Sequence, residues 1–170
     1  MKKIVTIAIL VLVIVIAVTA YLNQNQVKEK ASMIENATIS IKVDGEEVGI
    51  MNLGSIQDLG EETFHANLKS SGKDPIEYQY TGVPLKTIFQ AQEVDIEGNG
   101  QVIVRSVDGY TVALSVEEVL QEDNVYLAYE RNGEPLGTKE DGGSGPYQII
   151  IRNDPFSQRW TKFVVEVELQ

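Results

Sequence analysis

Between Tyr126 and Ile151 the chain reads YLAYERNGEPLGTKEDGGSGPYQIII, and that order of residue types admits few folds. Tyr126 to Arg131 reads as a strand. Asn132–Gly133 suits a two-residue hairpin turn, because both residues tolerate positive φ. Tyr147 to Ile151 is almost continuously apolar, the pattern of a strand buried on both faces. Between the strands, Gly137 to Gly145 holds four glycines, two acids and one lysine, with no apolar periodicity. A loop of that kind, held between strands, can bring bare backbone N–H groups up to a ligand. Read as structure alone, it is a long surface connection.

The rest of the chain supplies short strands around this pair. Thr38 to Val43 alternates and is β-branched, Asp44–Gly45 is a hairpin turn, and Val48 to Met51 returns. Ser55 to Leu59 reads as a helical turn with Ser55 as N-cap. Phe64, Ala66 and Leu68 alternate with His65, Asn67 and Lys69, which puts His65 on the solvated face of a half-buried strand. Ile76 to Tyr80 is another short strand. Pro84 fits the first turn of a helix whose Leu85, Ile88 and Phe89 form an apolar stripe. Gly98–Asn99–Gly100 is a turn. Gln101 to Val107 and Tyr110 to Leu114 are strands about an Asp108–Gly109 turn. Ser115 and Glu118 then form a capping box that opens a helix to Leu120. Trp160 to Leu169 reads as a closing strand with Phe163, Val165, Val167 and Leu169 on one face. Eight to ten short strands with two or three short helices define a β-rich α+β class, with mixed sheets and short outer helices.

The N-terminus is a separate organisation. Lys2 and Lys3 precede Ile4 to Ala20, where Thr6 and Thr19 are the only polar residues. Residues 1–22 read as an uncleaved transmembrane anchor or a signal peptide, with cleavage near Ala20 and secretion as the alternative. Basic residues stay inside, so a single-pass protein of the cell membrane is expected, its bulk extracytoplasmic. Residues 23–36 are polar and read as a linker or helical stalk. Residues 37–170 form the domain.

Composition narrows the chemistry. The chain of 170 residues has a net charge of −11. That balance argues against a nucleic-acid role, which needs a basic face, and against charge-driven docking on anionic lipid. Membrane contact is expected through the N-terminal helix only. There is no cysteine, hence no thiolate ligand or nucleophile, and the single histidine, His65, cannot build a multi-imidazole zinc site.

Five segments, in order, resemble a known family. Tyr80 to Leu85 (YTGVPL) is similar to its W/Y-x-G-V-P-L segment, and Ser106 to Tyr110 (SVDGY) to its S-x-D-G-Y turn. Ala128 to Leu136 (AYERNGEPL) is similar to its A-Y-x-x-N-G-E-P-L strand. Gly145–Pro146 with the following apolar strand, and Arg159 to Phe163 (RWTKF), resemble its loop, strand and closing segment. The family is the oxidoreductase molybdopterin-binding domain of the sulfite oxidase type, and the resemblance runs from about Thr38 to Leu169. It implies that family's fold, a molybdenum cofactor held by one cysteine upstream of the G-V-P-L segment, a loop histidine before Gly–Pro, and an arginine two residues past that proline. Here residues 64–73 hold no cysteine, residues 141–145 hold no histidine, and the arginine position is Gln148. A neutral amide does not replace a cation facing an anionic cofactor. Lys2–Lys3 is not a twin-arginine signal, so the chain is expected to cross unfolded and to arrive without cofactor.

The expectation is therefore a non-catalytic, cofactor-free binding module, with no catalytic residues and no metal ligands. Its candidate pocket is lined by Asp108, Tyr110, Gly143, Gln148, Arg159 and Lys162, and its partner is a small ligand or an envelope protein. The alternative is a molybdopterin-dependent oxidoreductase in which His65 or a carboxylate replaces the cysteine ligand.

Overall fold

In the computed structural model the backbone is described for every residue except Met1 and Asn99, and side chains for residues 9–24, 32, 36–98 and 100–170. The side chains of Lys2 and Lys3, on which the expected orientation rests, and the turn residue Asn99 lie outside the described residues. The chain forms two compact units, Met1–Met33 and Ile34–Gln170.

Residues 2–33 of the first unit lie within one helix, α1 (Lys2–Glu35). Every described side chain from Ile9 to Gln24 is exposed, with Ile9 at 56% and Leu22 at 57%. The Thr19 hydroxyl donates back to the carbonyls of Val15 and Ile16 at 2.9 and 3.0 Å. Among the described residues no helix is long and apolar enough to cross a membrane.

The second unit is built on two sheets. The first contains β1 (Thr38–Val43), β2 (Glu46–Asn52), β5 (Gln101–Ser106), β6 (Thr111–Ser115) and β10 (Val164–Leu169), in the order β2-β1-β10-β5-β6. The last strand thus enters mid-sheet, parallel to β1 with Ser40 opposite Glu166, and antiparallel to β5. The second sheet contains β3 (Glu62–Leu68), β4 (Ile76–Pro84), β7 (Val125–Arg131), β8 (Glu134–Pro135) and β9 (Gln148–Ile151). Its order is β3-β4-β7, and β8 and β9 share the far edge of β7. The class is the expected β-rich α+β.

Local rules account for most elements. Asn132 and Gly133 take φ of 56° and 78°, the mirror-image turn that matches strand twist. All four β9 residues are buried, the polar Gln148 together with Ile149, Ile150 and Ile151. Three short helices join the sheets. α2 (Leu53–Gln57) touches β2 and β4, α3 (Leu85–Gln90) lies on β4 and β7, and α4 (Val116–Leu120) lies on β5 and β6. One hydrophobic cluster draws on both sheets and all three helices.

Three readings are corrected. The cap of α2 is Asn52, and Ser55 is its reciprocal partner three residues on, each side chain bonding the other's backbone N–H. Pro84 ends β4 and caps α3 from outside the first turn. The closing strand begins at Val164, not Trp160, and its register shifts between Val164 and Glu166. That bulge turns Val165 outward and leaves Val164 and Val167 in the core.

Candidate functional site

The tight turn between β5 and β6 forms one wall of a cleft. Asp108 Oδ1 accepts from Ser106 Oγ at 2.9 Å and from the Tyr110 N–H at 3.2 Å. These two bonds, the backbone one first, hold the Asp108 carboxyl below the usual range, so it is ionised at neutral pH. Tyr110 reaches across and donates its hydroxyl to the Gln158 carbonyl at 3.0 Å. The turn is thereby pinned to a 3₁₀ turn, Ser157–Arg159, and to the irregular residues 160–163 that follow it.

Ser106, Asp108, Tyr110, Ser157, Gln158, Trp160, Lys162 and Phe163 enclose a cleft of about 290 Å³. Ser106 and Trp160 form its buried floor, while Asp108, Tyr110, Gln158 and Lys162 stand exposed at the rim. Trp160 is fixed by donating its indole N–H to the Ile151 carbonyl at 2.9 Å and by an edge-on contact with Tyr80. Lys162 makes no hydrogen bond or ion pair among the described residues. The segment after β3 is tied to the same rim: the Lys69 N–H donates to Ser157 Oγ at 2.8 Å, and Lys69 Nζ to the Asp154 carbonyl at 3.0 Å.

Of the six residues expected at one pocket, the cleft brings together Asp108, Tyr110 and Lys162. Gln148 is buried in β9, opposite Ala128. Arg159 turns away to Glu118 and Asp154: Nη2 lies 2.7 Å from Glu118 Oε1 and pairs with Asp154 Oδ1, while Nε reaches Asp154 Oδ2 at 3.0 Å. Those carboxylates, Glu118 first, raise the Arg159 pKa further.

Gly143 sits in a loop folded on itself. The N–H groups of Gly143, Ser144 and Gly145 donate to the carbonyls of Thr138, Leu136 and Gly137 at 2.8, 2.9 and 2.9 Å. Asp141 and Gly142 likewise donate to Thr138 and Lys139. Five amides that sequence suggested for a ligand are therefore spent inside the loop. A Cβ on Gly143 would overlap Leu136 O and Gly137, so only glycine fits there. The Ser144 hydroxyl, in a residue 3% exposed, has no partner among the described residues, yet Ser144 does not line the cleft. His65 is exposed on the edge strand β3, opposite Gln79.

Sequence reasoning missed the floor and side walls, namely Ser106, Ser157, Gln158, Trp160 and Phe163. Four of these five fall inside the SVDGY and RWTKF segments or immediately before the latter, so the signal was present. It also missed a second polar concavity of about 190 Å³ beside Tyr126. There the phenol lies 2.9 Å from Glu62 Oε2 and 3.0 Å from Asp123 Oδ1. Burial, then these two acceptors, push the phenol pKa well up. Glu62 and Tyr126 are 64 positions apart in the chain, and no local pattern announces the contact.

A family model described as the oxidoreductase molybdopterin binding domain matches residues 30–170. Comparison with curated proteins gave no match. Among solved structures the chain is similar to the sulfane dehydrogenase SoxCD from Paracoccus pantotrophus, with a TM-score of 0.63 at 17% identity. The similarity covers 80% of this chain and 38% of that one, so the chain spans well under half the length of its structural neighbour. At that identity the likeness establishes the sulfite oxidase-type fold.

Proposed function

The chain belongs to the oxidoreductase molybdopterin binding domain family, and from that membership we propose a member that keeps the fold as a membrane-anchored binding module without the family's cofactor or redox chemistry. The fate of the cations carries the reading. The resemblance implies a cysteine thiolate for molybdenum and an arginine facing an anionic cofactor. This chain has no cysteine. The arginine position, Gln148, is a buried amide, and Arg159 is committed to two carboxylates. Lys162 is the single base among the residues lining the cleft, and the ionised Asp108 stands in the same lining. A donor set of one ammonium, one carboxylate, hydroxyls and an amide does not fit an anionic group anchored by a thiolate. Sulfane oxidation of the kind named for SoxCD would need another metal ligand, and the single histidine is an exposed residue of an edge strand.

The same reading places the domain outside the cell membrane, held by α1. Its support is the apolar run Ile4 to Ala20 and the outward display of Ile9 to Leu22. The Thr19 hydroxyl is satisfied within its own helix, as a lipid environment demands.

Dye-linked assays test the proposal. Protein purified from its own host should neither reduce ferricyanide with sulfur-compound donors nor oxidise reduced viologen with S-oxide or N-oxide acceptors, beyond a heat-treated control. Sustained turnover in either direction would overturn it. For the anchor, the protein should stay in the membrane pellet through a carbonate wash, and release by that wash would exclude it.

A further inference from the structure

The residues lining the cleft under the Asp108–Tyr110 turn include one acid and one base that form no ion pair with each other, and Lys139, from outside the lining, also acts on Asp108. Both hydrogen bonds to the Asp108 side chain fall on Oδ1, from Ser106 and Tyr110, which leaves Oδ2 to accept from a ligand. Lys162, in the same lining, has no ion pair or hydrogen bond among the described residues. The lining also carries apolar surfaces: the half-exposed Tyr110 ring, Phe163, and the Trp160 floor. The Gln158 side chain is exposed at the same rim.

Each simpler ligand class leaves one of these features unused or opposed. An anion without a cationic group meets Lys162 but is repelled by Asp108. A cation alone meets the reverse. A neutral apolar molecule would strip water from two charges and return nothing to either. A molecule that carries both charges and an apolar side satisfies all three features together. At about 290 Å³ the cleft accommodates a small one.

We infer that this cleft binds a free zwitterion with an apolar or aromatic side chain, of the α-amino acid class, its ammonium on Asp108, its carboxylate on Lys162 and its side chain against Tyr110 and Phe163. The inference rests on the binding-module reading above and adds the ligand class to it. Asp108 is fixed by its own turn before any ligand arrives, so its carboxylate costs little ordering on binding. Lys162 supplies a flexible point charge that can follow ligands of different length.

The test is calorimetric titration of the full-length, detergent-solubilised protein with L-phenylalanine, N-acetyl-L-phenylalanine and L-phenylalaninamide. Each blocked compound lacks one charge and should bind about tenfold or more weakly than the parent, as expected for loss of one charge-assisted hydrogen bond. Lys162→Gln should erase the discrimination against the amide and keep that against the acetylated compound. Asp108→Asn, which can still accept from Ser106 and Tyr110 and so keep the turn, should do the opposite. Equal binding of all three compounds, binding that both variants leave intact, or no binding at millimolar concentration overturns the inference. Stabilisation instead by an uncharged disaccharide or by inorganic phosphate would sink the ligand class and leave the module standing. Molybdenum bound to the purified protein would remove the module reading itself.

Discussion

Arg159 is expected from sequence in the candidate pocket, and its side chain serves a different purpose. It ties α4 to the loop before the 3₁₀ turn through Glu118 and Asp154, so its effect on the cleft runs through the backbone of Ser157 and Gln158. Glu118 is doubly used, because the same carboxylate closes the capping box on Ser115. Arg159, first among the causes, holds the Glu118 pKa below its ordinary value of 4.5. The folded state therefore binds fewer protons than the unfolded one around that pH, and stability rises with pH there. The contribution is complete above the unfolded value and is lost as pH falls through the lower, folded one. Arg159→Gln should lower stability by about 1 kcal/mol at neutral pH, a value discounted for its partial exposure. It should also flatten the loss of stability between neutral and acid pH; an acid limb as steep as in the parent would contradict the assignment. The turn at Asp108 was legible in sequence because Asp–Gly chemistry is local. The destination of Arg159 was not, because Glu118 lies 41 positions away and either carboxylate or a ligand could satisfy a guanidinium.

At the scale of elements, β4 and β7 show where periodicity stops informing. Ile76 to Tyr80 alternates and reads as a strand, but the strand continues to Pro84, past a register shift between Thr81 and Gly82. A Cβ at Gly82 would come within 2.7 Å of Ala128 Cα and nearer still to the Leu127 carbonyl, so the glycine permits two backbones to meet. Gly82→Ala should destabilise the domain by about 1–3 kcal/mol, the usual cost of overpacking. A urea titration should show the midpoint fall with an unchanged slope, and an unmoved midpoint would show that the two strands separate without cost. The same limit explains β10, where alternation counted from Phe163 ignores a bulge that no residue type marks. In the Gly-rich loop, composition signals unusual backbone but does not say whether its amides face a ligand or, as here, one another.

At the scale of the whole molecule, the chain divides into two compact units. Among the described residues, the hydrophobic cluster and those packed against it lie from Ala37 onward, within the second unit. Tyr147 donates its hydroxyl to the Ala37 carbonyl at 2.8 Å, so the start of that unit is fastened to its interior. A chain beginning at Ile34 should unfold in one cooperative transition within a few degrees of the full-length protein. A broad or absent transition would mean that α1 is part of the fold. The family was legible in five ordered segments, whereas its chemistry hangs on a few side chains, and fold and function separate at such positions. On the proposal above, this member carries the fold without the cofactor. Molybdenum analysis of the full-length protein from its own host addresses it most directly. Molybdenum should not rise above background; molybdenum approaching one atom per chain would contradict the proposal and restore the family's redox chemistry.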